Sequence, residues 1–170
     1  AGVAGMKAAG FGAQIAALFH VMGLMASFSM GALSDRLSRG QVMLVLAILS
    51  TICSFIFGWT IGFPLIVIIG VGLIYAFSSL GDSPVLSTSL TEVVKPSYLG
   101  AALGLRSLLG FGGGAIAPLA FGAVLDWSNP IAKGQGQYVT WGWAFSVLGV
   151  GGLGAIWAIH RYEKMQNAKG

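Results

Sequence analysis

Two charged residues, Asp82 and Arg106, lie inside long apolar stretches of the chain, where such side chains can bind a solute or carry a proton. A charge in hydrocarbon is costly unless it is paired or hydrated, so intramembrane charges commonly mark transport pathways. Asp82 stands 13 residues before Lys95, and Arg106 stands 11 residues after it. On antiparallel helices that rise about 1.5 Å per residue, the two residues would lie at nearly the same depth. We therefore expect an ion pair, in which Asp82 is either a proton acceptor or substrate ligand, or half of a permanent structural clasp.

Two further polar residues are candidates for coupling or solute binding. His20 lies in the middle of an apolar stretch, and an imidazole can carry protons near neutral pH. Tyr75 lies in another, beside a pair of serines that could line a polar cavity with it. The alternative for both residues is a hydrogen bond that joins two packed helices. Neither residue specifies a substrate.

Composition places the chain in the membrane. It is 56% hydrophobic and 8% charged, with a mean hydropathy of +0.85, whereas soluble domains carry roughly 25% charged residues. The single Cys53 allows neither an internal disulfide nor a multi-cysteine metal site. The net charge of +4 resides mostly in short loops, which favours a topological role over nucleic-acid binding. We expect the lipid bilayer as the main partner, with no metal, cofactor or nucleic acid.

Five apolar stretches are long enough to cross a bilayer, since a spanning helix needs about 20 residues. They cover approximately 11–32, 42–59, 63–90, 98–125 and 139–159. The sequence thus predicts an all-α, polytopic helical bundle that forms a single membrane domain. The chain starts at Ala1 without a basic leader region, which is atypical of a signal peptide and suggests a fragment of a longer protein.

Lysine and arginine predict the orientation. With five spans, one side of the membrane collects six basic residues: Arg36, Arg39, Lys95, Arg161, Lys164 and Lys169. The other side holds Lys7 and Lys133. Because cytoplasmic loops carry the excess of basic residues, we expect the larger set and the C-terminus to be cytoplasmic, in an inner or plasma membrane. Tryptophans would mark the outer interface, namely Trp59, Trp127, Trp141 and Trp143.

Small residues four positions apart predict helix contacts, because they let backbones approach closely in lipid. One stripe on each of three spans has this spacing: Gly23, Ser27 and Gly31; Gly110, Gly114, Pro118 and Gly122; Gly142, Ser146, Val150 and Gly154. The fourth span also contains Gly113, and its glycines precede a proline that removes a backbone hydrogen bond. We expect a kink or flexible point there.

A charged turn joins the first two spans and resembles a known motif. Residues 31–40 read GALSDRLSRG, of the form G-x-L-x-D-R-x-x-R. This pattern is similar to the cytoplasmic loop of major facilitator superfamily (MFS) transporters, with Ser38 where the family has Gly and Gly40 where it has a second basic residue. The resemblance implies that Gly31, Asp35, Arg36 and Arg39 form a gate between two transporter halves. Glu92, in the next loop on the same side, is the expected partner for an arginine, and simple membrane anchoring is the alternative.

The fourth span extends the resemblance. Its series Gly104, Gly113, Ala117-Pro118 and Phe121-Gly122 is similar to the glycine-proline motif of MFS antiporters, with Ala117 and Phe121 in place of Gly. The degeneracy of both motifs favours helices eight to twelve of such a transporter, and helices two to six remain open. The resemblance implies secondary active transport of a small solute by alternating access, with the missing half of the transporter as a partner. Proton coupling is a further expectation from Asp82 and His20.

Other function classes have less support. A five-helix scaffold or assembly subunit is the main alternative, and a channel is the next. An enzyme is not expected, because HExxH, CxxC and Walker A motifs are absent from the sequence. The series Gly110-x-Gly112-x-x-Ala115 imitates a dinucleotide fingerprint, but no strand precedes it. The substrate, the direction of transport, the coupling ion and the oligomeric state do not follow from these residues.

Overall fold

The computed structural model describes residues 2–130 and 140–167, with side chains described for 10–130 and 140–165. Within these residues the chain forms five long helices and no strand. Helix α1 covers Gly2–Ser34, α2 covers Arg39–Phe57, α3 covers Leu65–Val93, α4 covers Leu99–Ser128 and α5 covers Gly142–Asn167. A single 3-10 turn at Pro96–Tyr98 connects α3 to α4. All five helices are long and apolar enough to cross a membrane, which confirms the predicted all-α bundle.

The helix ends differ from the predicted spans in physically simple ways. Helix α5 continues about two turns past residue 159, because Arg, Glu, Lys and Met at its end are strong helix formers. Helix α3 begins at Leu65 with Pro64 as its N-cap, two residues after the predicted start of the third span at residue 63. The predicted start of the fifth span at residue 139 lies outside the described residues, as do Lys133, Lys169 and the side chain of Lys7.

Small residues determine how the helices pack. Helix α3 packs on α1 and α2, while α5 packs on α2 and α4. Gly23 on α1 lies directly against Leu80 of α3, and Gly72 of α3 lies against Phe19 of α1. The best buried cluster lies where α2 meets α3 and contains Val42, Met43, Leu46 and Val85. The first two members of the predicted α1 stripe, Gly23 and Ser27, therefore do mark a helix contact.

The same contact lies at a break in the hydrogen bonding of α3. Pro84 lies inside this helix and has no N–H, so the carbonyl of Leu80, four residues earlier, lacks its helical donor. The Ser27 hydroxyl of α1 donates to the Gly23 carbonyl of its own helix at 3.0 Å and lies 3.4 Å from the Leu80 carbonyl oxygen. Its single hydrogen can therefore be shared only weakly with the Leu80 carbonyl.

Most other members of the predicted stripes lie in open space among the described residues. A Cβ added at Gly31, Gly110, Gly114 or Gly122 would meet no atom within 4 Å. On α5 the packed glycines are Gly142, Gly149 and Gly152, whereas Val150 and Gly154 face outward. The spacing of four was wrong for α5, because its contact face follows steps of seven and three residues along the helix.

The two ends of the bundle have different chemistry. At one end Gly58 approaches the backbone of Trp141, and the rings of Trp59 and Trp143 meet edge to face with centroids 5.6 Å apart. Trp127, at the end of α4, is exposed. At the opposite end, Arg161 lies over the ring of Trp157, 5.1 Å from its centroid. The antiparallel order of the helices puts Arg36, Arg39, Lys95, Arg161 and Lys164 at this second end.

Replacing Gly58 by Ala should loosen the tryptophan end of the bundle. The added Cβ would lie 2.6 Å from the carbonyl oxygen of Trp141 and 2.8 Å from the Cα of Gly142. These are backbone atoms that cannot rotate away, so we expect destabilisation of about 1–3 kcal/mol. The measurement is thermal unfolding in detergent, in which reaction of the buried Cys53 thiol with a fluorescent reagent reports the unfolded fraction.

Gly154→Ala is the matched control, because its Cβ would enter open space and alanine favours a helix by about 0.5–1 kcal/mol over glycine. The packing described for Gly58 is contradicted if Gly58→Ala unfolds at or above the temperature of the unmodified chain.

Candidate functional site

Helices α3 and α4 line an open groove whose wall is mostly apolar and carries a small set of polar side chains. Its volume is about 1070 Å³, and its polar lining consists of Ser79, Asp82, Ser83, Arg106 and Ser107. The rest of its wall is apolar and includes Leu86 and Phe111. The groove therefore combines the two charges that the sequence singled out with three hydroxyl groups.

The expected ion pair between Asp82 and Arg106 is not formed. The described ion pairs within 4.0 Å all involve Arg39, and the Arg106 guanidinium instead donates from Nη2 to Ser83. It reaches the carbonyl oxygen at 3.0 Å and Oγ at 2.9 Å. The depth estimate was correct, since Arg106 meets the neighbour of Asp82. Consecutive helix residues point about 100° apart, so α3 turns Ser83 toward Arg106 and Asp82 to the side.

Arg106 keeps unused hydrogen-bonding capacity. A guanidinium has five N–H donors, and the two bonds to Ser83 both come from Nη2. Nε is buried without an acceptor. An unsatisfied buried donor normally costs about 1–3 kcal/mol.

A second charged cluster lies at the basic end of the bundle. Arg39, the first residue of α2, binds Glu92 near the end of α3 through two parallel hydrogen bonds, Nε to Oε2 at 2.7 Å and Nη2 to Oε1 at 2.6 Å. Asp35 is a second acidic neighbour, 3.4 Å from Nη2, and Ser34 accepts a longer bond from Nη1. The arginine partner predicted for Glu92 is therefore Arg39. The cluster ties the α1–α2 turn to the end of α3.

The remaining turn residues have simpler surroundings. Asp35 pairs with Arg39. The N-cap of α2 is Ser38, whose Oγ accepts a hydrogen bond from the backbone N–H of Gln41 at 3.2 Å. Arg36 is exposed. Gly31 does not allow a close approach of another helix within the described residues, contrary to the prediction. Gly40 does, since it lies against Glu163 of α5.

Tyr75 lies in a packing junction and outside the polar groove. Ser54 of α2 donates to the Phe145 carbonyl of α5 at 3.0 Å. Because its hydrogen is used there, the 3.4 Å contact with the Tyr75 hydroxyl makes Tyr75 the donor. The ring of Phe57 lies 6.1 Å from that of Tyr75. These two hydrogen bonds join α2, α3 and α5, so the geometry favours an interhelical packing role for Tyr75.

His20 is exposed and does not line the groove. Its Nδ1 lies 2.7 Å from the Ala16 carbonyl oxygen, an atom that can only accept a hydrogen bond, so Nδ1 is the donor in this contact. The contact does not involve Nε2. The structure thus separates His20 from Asp82, the residue with which it was expected to share coupling.

The glycine-proline segment of α4 remains helical. The helix is continuous from Leu99 to Ser128 with Pro118 inside it, and the face that carries Gly110, Gly113 and Gly114 is open. The predicted kink therefore stays a prediction. Three groups were missed by the sequence analysis: Ser83, Ser54 and Glu163. Only Ser83 had a local signal, as the neighbour of an intramembrane aspartate.

Removing the Ser54 hydroxyl should affect stability more than transport. The Ser54→Ala variant loses bonds to α3 and α5, and intramembrane hydrogen bonds of this kind contribute about 0.6 kcal/mol on average and up to about 1.7. We expect a lower unfolding temperature with an unchanged KM for the transported solute. Ser50→Ala is the control, because among the described residues that hydroxyl of α2 donates to the Ala47 carbonyl of its own helix. A changed KM in Ser54→Ala would place this junction in the solute pathway instead.

Comparisons with known proteins supply the family. No curated protein and no solved structure matched the chain. Among the described residues, no group of three His, Cys, Asp or Glu side chains could hold a metal ion. The sequence model of the Major Facilitator Superfamily matches residues 4–169, nearly the whole chain and all five helices. The chain therefore belongs to the Major Facilitator Superfamily of membrane transporters.

Proposed function

We propose that this chain acts in a secondary active transporter that moves a small solute by alternating access. The family match over residues 4–169 is the observation that carries the proposal. Two features of the geometry support it. A polar groove at Asp82 and Arg106 offers a place for solute contact, and a charged cluster at Arg39 offers a connection that can open and close.

The Arg39–Glu92 pair has the properties of a connection that can break and re-form, and we call this pair the latch. Its bidentate hydrogen bonding is geometrically specific, and both side chains lie at the basic end of the bundle, with 18% and 54% of their surfaces exposed. Exposed pairs contribute only about 0.2–1 kcal/mol each. An interaction of this size can bias two conformations without locking either one, because each 1.4 kcal/mol changes an equilibrium tenfold.

The orientation and the partners are also proposals. The basic end of the bundle would face the cytoplasm in an inner or plasma membrane, by the positive-inside rule. The open glycine face of α4 supports the participation of further helices, which would supply the other half of a solute site. In transporters of this kind, such sites lie between repeats that rock against each other.

Counterflow in proteoliposomes tests this function directly. The natural gene product is reconstituted and loaded with unlabelled solute, and uptake of the labelled solute is measured across a library of compounds. A carrier gives saturable uptake that unlabelled solute on the opposite side accelerates. A channel would give uptake without this acceleration. A scaffold would give none.

Breaking the latch should change the rate of transport and leave the fold intact. We expect Glu92→Gln to change the maximal exchange rate about two- to fivefold, the kinetic equivalent of roughly 0.5–1 kcal/mol. The double variant Arg39→Glu with Glu92→Arg should recover part of the change, because the opposite charges again face each other. The measurement is initial rates of exchange at saturating solute.

Lys95→Gln is the charge control, since this exposed residue lies at the same end of the bundle outside the Arg39 cluster. Equal rates for Glu92→Gln, Lys95→Gln and the unmodified protein would exclude the latch.

Asp82 should be essential for transport and dispensable for folding. Since it forms no ion pair within the described residues, Asp82→Asn leaves no buried arginine without its partner. We expect a loss of exchange of about a hundredfold, the equivalent of roughly 2.7 kcal/mol, with the same unfolding temperature within a few degrees. Full exchange activity in Asp82→Asn would remove this residue from the mechanism.

A further inference from the structure

The groove between α3 and α4 contains an acid and a base that do not neutralise each other. Asp82 and Arg106 line the same space, and the described ion pairs within 4.0 Å include neither of them. Two opposite charges in a region of low dielectric constant would attract strongly if they met. Because no direct ion pair joins them, each charge can accept a partner from a solute that enters the groove.

The hydrogen bonding of Arg106 accounts for the missing ion pair. Ser83 takes both bonds from Nη2 and holds the guanidinium against α3 beside Asp82. Nη1 is not used by the described residues, so its two N–H groups remain for an anionic group, whereas Nε is buried out of reach of a solute. A carboxylate fits this role, because its oxygens accept charge-assisted hydrogen bonds from a guanidinium.

Charge excludes several classes of solute from this groove. A simple anion would meet the carboxylate of Asp82, and a simple cation would meet Arg106. A neutral sugar would leave both charges without compensation, which is costly within a membrane. A solute with one positive and one negative group satisfies both charges, and the hydroxyls of Ser79 and Ser107 add donors and acceptors along the wall.

We propose that the α3–α4 groove binds a small zwitterion, whose carboxylate pairs with Arg106 and whose ammonium pairs with Asp82. The inference rests on the transport function proposed above, and it adds the chemical class of the substrate. It assigns recognition of each end of the solute to a different helix. Binding then bridges α3 and α4, which otherwise share few contacts.

The test uses the natural gene product and a panel of amino acids that differ in the spacing of their charges. The panel contains glycine, β-alanine, 4-aminobutanoate and 6-aminohexanoate, with hexanoate and hexylamine as singly charged controls. Binding is measured as a rise in unfolding temperature and as inhibition of exchange. We expect at least one zwitterion to bind about tenfold or more tightly than both singly charged controls, since each lost ion pair weakens binding by about that factor.

Two variants separate the roles of the residues. Asp82→Asn should abolish the preference for the zwitterion over hexanoate, and Arg106→Gln should abolish the preference over hexylamine. Lys95→Gln and Glu163→Gln remove one charge of each sign outside the groove and should leave both preferences unchanged.

Each alternative outcome has a clear meaning. Equal binding of the zwitterions and hexanoate by the unmodified protein would overturn the assignment. If the panel fails while another solute shows counterflow, the zwitterion inference is wrong and the transport proposal stands. If no solute shows counterflow, the transport proposal fails and this inference falls with it.

Discussion

Hydrocarbon offers no hydrogen-bond partner to a peptide group, and the architecture of this protein follows from that constraint. Every spanning segment must be helical, because only a helix satisfies its own backbone within the bilayer. Where the sequence breaks that rule, polar groups of a neighbouring helix lie close by. Pro84 removes the donor for the Leu80 carbonyl, and the Ser27 hydroxyl of α1, whose shorter bond is to Gly23, lies 3.4 Å from that carbonyl oxygen. One turn away along α3, Arg106 of α4 binds the Ser83 carbonyl. The proline region of α3 is thus held from two sides, and the polar groove lies at this place.

Helix α3 connects the two regions to which we assign roles in the proposed transport. Asp82 and Glu92 are ten residues apart on this helix, which corresponds to about 15 Å of rise. Pro84 lies between them and removes one backbone hydrogen bond, so a change at the Arg39–Glu92 pair would reach the groove through a point at which α3 can bend. The contacts on either side are unequal. Helix α3 packs closely on α1 and α2, whereas its contact with α4 is slight. The groove therefore lies where α3 meets α4, a neighbouring helix with which it has much less contact than with α1 or α2.

The sequence predicted the five helices and the level of the charged residues, because hydropathy and helical rise depend on local composition. It also predicted an arginine partner for Glu92, since both loops had to lie on one side of the membrane. It did not predict the pairing of Arg106, because a rotation of 100° between Asp82 and Ser83 decides which residue faces α4. That rotation depends on how α3 packs against α1. The stripe on α5 failed for a related reason: several glycine series fit its sequence, and only the neighbouring side chains Phe55 and Thr51 select Gly149 and Gly152.

Transport as proposed here requires the α3–α4 groove to be exposed alternately to the two sides of the membrane. Ser107 lines the groove and its side chain is exposed, so a cysteine there would report access. The measurement is the labelling of Ser107→Cys by a membrane-impermeant thiol reagent added to one side or the other, in a background without other reactive cysteines. We expect labelling from both sides, and we expect that breaking the Arg39–Glu92 pair increases labelling from one side and decreases it from the other. If the reagent labels Ser107→Cys from neither side, the groove faces lipid and alternating exposure is excluded.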